Sequence, residues 1–96
     1  MFVGVYRVEL HIPGSRSLKA KRSVVNSLKQ KLGQLHVSVA EVGDADLWQS
    51  VVLGVSAVSR DAAYLDDLAD RIESVCLREH RAQFLRLERD VVPAFD

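Results

Sequence analysis

Four segments in which apolar and polar residues alternate, and two with apolar residues at helical spacing, follow one another in the order β-α-β-β-α-β, joined by short breaks. That order predicts an α+β sandwich, a four-stranded antiparallel sheet with two helices on one face. The 96 residues, 48% of them hydrophobic, suit a single domain spanning 1–96 with one core.

The first strand runs from Phe2 to Ile12. Phe2, Tyr6, Val8, Leu10 and Ile12 share one side with Gly4, and Val3, Val5, Arg7, Glu9 and His11 share the other. Pro13-Gly14-Ser15 breaks it. The first helix extends from Leu18 to Leu32, with Leu18, Val25, Leu28 and Leu32 inward, Ser15 or Ser17 at its start and Gly33 at its end. A second strand, His36 to Val42, sets Val37 and Val39 against Ser38 and Ala40, and Gly43-Asp44-Ala45-Asp46 turns the chain. The third strand, Trp48 to Ser59, offers Val51, Leu53, Val55 and Ala57 to one side and Val52, Gly54, Ser56 and Val58 to the other, forming a hairpin with the second.

Ser59-Arg60-Asp61 opens the second helix, which ends near His80. Its apolar stripe is Leu65, Leu68, Ala69, Ile72, Val75 and Cys76, and Asp66, Asp67, Asp70 and Glu73 form its outer face. The last strand, Phe84 to Val92, places Leu85, Leu87 and Val91 inward, opposite Phe84, Arg86, Glu88 and Asp90, and stops at Pro93. Right-handed crossovers put both helices on the same face, which is the ferredoxin-like split βαβ arrangement.

A single cysteine allows neither an internal disulfide nor a cysteine-based zinc site, which points to a reducing, cytoplasmic setting. No apolar run is long enough to span a bilayer, and the amino-terminal Met1-Phe2-Val3-Gly4-Val5 has neither a basic leader nor a cleavage-like site, so no membrane contact or signal peptide is expected. Thirteen bases balance thirteen acids, but residues 1–40 hold seven bases and one acid, and the remainder holds six bases and twelve acids. A local basic surface can therefore exist on a neutral protein.

No catalytic residue, metal site, cofactor or small-molecule substrate is read from the chain. His11, His36 and His80 fall in separate elements, the Gly43–Asp46 segment is accounted for by a turn, and Cys76 lies on an apolar stripe. The pointed feature is the start of the first helix, where Arg16, Lys19, Lys21, Arg22 and Lys29 offer cations to a phosphate backbone. The second candidate surface is the open side of the sheet around Val3, Val5, Val52 and Val58, suited to a protein partner or a homo-oligomer. The residues expected near the middle of that face, Val5, Arg7, Gly54 and Ser56, include no aromatic on which RNA bases stack.

Val5-Tyr6-Arg7-Val8-Glu9-Leu10-His11-Ile12-Pro13, Ser17-Leu18-Lys19-Ala20-Lys21-Arg22-Ser23-Val24-Val25, Val37-Ser38-Val39-Ala40-Glu41-Val42, Asp46-Leu47-Trp48-Gln49, Leu53-Gly54-Val55 and Val58-Ser59 together resemble the bacterial YlxP-like family, a domain of unknown function. Ala20 departs from its pattern, standing where a charged residue is expected. The resemblance implies a ferredoxin-like fold and no established activity. It also implies genes lying among those for transcription termination, translation initiation factor two and ribosome-binding factor A. The expectation is a non-catalytic factor associated with ribosomal RNA or a ribosomal particle.

Overall fold

The structure is a computed structural model that describes residues 1–95. Its elements are β1 (Phe2–His11), α1 (Leu18–Gly33), β2 (Ser38–Gly43), β3 (Ser50–Ser59), α2 (Ala62–Leu77) and β4 (Gln83–Pro93). The sheet order is β2-β3-β1-β4 and every pairing is antiparallel, so the ferredoxin-like α+β fold is the one the alternation predicts. β1 lies between its two partners and runs in unbroken register with β3 from Phe2↔Ser59 to His11↔Ser50.

The core is the space between the helices and one side of the sheet. Tyr6, Val8, Leu10 and Ile12 meet Val51, Leu53 and Val55 there, beneath Val24, Val25, Leu28 and Leu32 of α1 and Leu65, Leu68, Ile72 and Val75 of α2. Tyr6 also ties the layers by a polar contact, its phenol donating to the Leu65 carbonyl of α2. Its ring lies back over Gly4, where a Cβ would come within 2.5 Å of the phenol oxygen, so the absence of a side chain at that position makes room for the tyrosine.

Two strands carry an extra residue that the strict alternation misses. β4 shifts register so that Phe84 pairs with Leu10 and Arg86 with Glu9, leaving Leu85 in a bulge. Phe84 therefore packs against the core and Leu85 is exposed, the reverse of the expected assignment. β2 shifts between Glu41 and Gly43, and Val42 swings over Gly54.

The strand ends also move. His36 adopts the left-handed conformation (φ 61°) in the turn after α1 and is not a strand residue. Trp48 stands in the turn before β3, and Asp44, with φ 61°, takes the left-handed position of that turn, a conformation Asp tolerates. α2 is capped by Asp61, whose carboxylate accepts from the Ala63 N–H at 3.0 Å, and it stops at Leu77, before His80.

Removing the phenol hydroxyl by Tyr6→Phe is expected to lower stability by about 1 kcal/mol in urea unfolding. Gly4→Ala should cost more, because the ring must shift, and its cost should shrink in the Tyr6→Phe background, where the closest clashing atom is gone.

Candidate nucleic-acid interface

α1 begins where Ser17, extended at φ −163°, accepts the Ala20 N–H on its hydroxyl at 3.1 Å. From that cap the helical period sets each cation's direction. Lys19, Arg22 and Asn26 are exposed on the side of α1 turned away from Val24, Val25, Leu28 and Leu32, and the half-buried Lys29 stands at the edge of that side, one turn after Val25; together they form a ridge along the helix, with Arg16 exposed beside its start. Ten residues at about 1.5 Å each make the Lys19-to-Lys29 ridge about 15 Å long. No acid stands in the first turn, and among the described residues Arg16, Lys19, Arg22 and Lys29 make no ion pair. The acids of α2 do not neutralise them: Asp66 pairs with Arg89 of β4 at 3.7 Å.

Lys21 does not belong to this ridge. It is 2% exposed, and its ammonium donates to the carbonyls of Asp44, Ala45 (3.4 Å) and Leu47 (2.7 Å) while standing 2.9 Å from Glu41 Oε2. The carbonyls take the protons and Glu41 supplies the counter-charge, at an angle outside hydrogen-bond geometry. Lys21 therefore cannot reach an external phosphate, and the expected role is corrected on that ground. The signal was present in the sequence. Lys21 stands three residues before Val24, four before Val25 and seven before Leu28, in phase with the buried side of the helix.

A second buried charge joins the two helices. Glu79, 4% exposed, receives Arg81 Nε at 3.0 Å, Arg81 Nη2 at 2.9 Å and the Arg81 N–H at 3.1 Å, with Lys31 3.8 Å away. Arg81 also donates to Ser23 Oγ of α1 at 3.3 Å. Hydrogen bonding from Arg81 holds the Glu79 carboxyl down at about 2, against the opposing effect of burial. A cleft of about 470 Å³ lies beside this pair, lined by Pro13, Gly14, Ser15, Ser23, His80 and Arg81. Sequence reading missed Glu79, although it stands seven residues after Ile72, four after Val75 and three after Cys76, in phase with the apolar stripe of α2, because a carboxylate reads as an outward residue.

On the open side of the sheet, Arg7, Glu9, Arg86 and Glu88 form a closed ring of alternating charge, with contacts of 3.2, 3.0, 2.8 and 3.8 Å. Val52 is also corrected here. It is 6% exposed, flanked in register by Glu9 and Gly43, and offers no surface to a partner, whereas Val5 and Val58 are exposed. Cys76 is buried, and burial pushes its thiol up to about 11, away from nucleophilic reactivity. Among the described residues no three His, Cys, Asp or Glu side chains gather as a metal cluster, and no helix is long and apolar enough to cross a membrane.

The fold and these surfaces define a small ferredoxin-like α+β domain with a cationic ridge on its first helix. Residues 3–89 match the family described as protein of unknown function (DUF503), and the chain belongs to that family. No curated protein matches the sequence.

Lys21→Met should leave the turn carbonyls and Glu41 without their cation and cost about 3 kcal/mol in chemical unfolding. For Glu79 the carboxyl is lowered by folding, so its stabilisation is present above the ordinary carboxylate range and is lost as pH falls toward about 2. Urea midpoints at pH 7 and pH 3 should therefore differ less in Glu79→Gln than in the parent protein.

Proposed function

We propose that this protein is a non-catalytic cytoplasmic factor that docks on structured RNA, of the ribosomal class, through Arg16, Lys19, Arg22 and Lys29. The observation that carries the reading is the ridge itself: Arg16, Lys19 and Arg22 are exposed, Lys29 is half-buried beside them, and none of the four finds a counter-ion among the described residues, in a chain with as many acids as bases. Phosphate oxygens are the ligands that such side chains satisfy, and an exposed helix ridge supplies no pocket for reading base edges. The gene neighbours that the family resemblance implies point to the same class of partner.

Sedimentation with ribosomal subunits or total ribosomal RNA at increasing salt tests it. Contacts to about four phosphates of a double-helical segment correspond to a slope of log K against log salt of about −3.6, and the Lys19→Gln/Arg22→Gln double variant should bind more weakly with a slope shallower by about 1.8. Binding that ignores salt, or that survives the double variant unchanged, removes the ridge as the contact.

A further inference from the structure

The open side of the sheet is divided. Across β1 and β4 the half nearer the end of β1 is occupied by the ion ring of Arg7, Glu9, Arg86 and Glu88, whose charges are already matched within the chain. The other half is apolar. Val58, Val3 and Val92 stand side by side on β3, β1 and β4 in register, and Val5 follows Val3 on the same face. Val58 is 65% exposed, Val5 48% and Val92 47%. Two charges flank this patch on opposite sides: Asp90, paired in register with Val5 on β4, and Arg60, just past the end of β3. Both are exposed, and neither side chain makes an ion pair or hydrogen bond among the described residues.

We propose that this valine patch is covered by a second copy of the chain, packed face to face about a two-fold axis passing near Val3. In such an isologous contact each residue meets its mate's partner reciprocally. An axis running diagonally across the strands brings Val58 of one copy against Val5 of the other and returns Asp90 to the neighbourhood of the other copy's Arg60, matching twice over the two charges that flank the patch. The ion ring stays outside the contact, in water, so no ion pair has to be desolvated for the valines to meet. A partner of different chemistry would have to present both an apolar surface and a correctly placed charge of each sign; a second copy supplies both by symmetry.

Sedimentation velocity of the purified chain over a range of concentration reads this directly. The parent protein is expected to shift from monomer to dimer as concentration rises. Val5→Asp should raise the dissociation constant about tenfold or more, since it places a charge in the apolar centre of the contact. Asp90→Arg should also weaken the dimer, and combining it with Arg60→Asp should restore it. A monomer at every concentration, a dimer indifferent to Val5→Asp, or a charge-swapped pair no tighter than the single variant overturns the proposal. The two exposed charge positions keep the test informative if the valine substitution disturbs the sheet.

Discussion

The ammonium of Lys21 is the contact on which one end of the molecule depends. It lies where a leucine would ordinarily sit, beneath the first turns of α1, and binds the backbone of the turn between β2 and β3. Burying a charge is costly, and here the cost is offset by three carbonyl acceptors and the Glu41 carboxylate converging on one atom. A lysine fits this cage because its ammonium is a compact point charge with three donors, which a planar guanidinium could not aim the same way. The turn it holds contains the left-handed Asp44, and Gln49 at the turn's far side donates to the carbonyls of Pro13 and Ser15. The β1–α1 connection, the start of α1 and the β2–β3 turn are thereby one hydrogen-bonded unit, and the base of the cationic ridge is fixed to it.

How far the sequence discloses this structure depends on the kind of regularity involved. The strands and their inward faces follow from period-two alternation, and the helices from apolar residues three and four apart, so the order of elements and most of the core are legible. Alternation fails where a strand carries an unpaired residue, because one extra residue flips every later side chain to the other face. That is why Phe84 and Leu85 exchange sides. Lys21 is a different case: its phase in α1 marks it as inward, but its charge reads as outward, and only the turn carbonyls decide the conflict. Glu79 is a second case of the same kind: it lies beyond the end of α2 but continues the phase of that helix's buried stripe, three residues after Cys76 and four after Val75, and its charge is matched by Arg81 and Lys31. Val52 has the correct parity for the open face and is still covered, because parity gives direction and not exposure.

Charge in this protein is arranged by surface and not by total. On the open sheet face Arg7, Glu9, Arg86 and Glu88 cancel one another in a ring, and Asp66 is matched by Arg89. Lys21 and Arg81 are neutralised internally by Glu41 and Glu79. Four cations without an ion pair among the described residues, Arg16, Lys19, Arg22 and Lys29, lie together along one side of α1 and at its start. At physiological ionic strength fields fade over about 8 Å, so a polyanion near that ridge senses its cations far more than the acids on distant surfaces, and zero net charge does not preclude attraction.

The two proposed surfaces lie on opposite layers. The ridge of α1 faces away from the sheet, and the valine patch is on the sheet's uncovered side, so a face-to-face pair buries the valines and leaves both ridges outermost. Occupancy of one surface then does not obstruct the other. Two ridges on one particle convert a second phosphate contact into an intramolecular event whenever the RNA can span them, which raises affinity without any new type of contact. If the RNA cannot span them, the pair binds no more tightly than a single ridge. The geometry of the target, and not the strength of either ridge alone, would set whether pairing matters for binding.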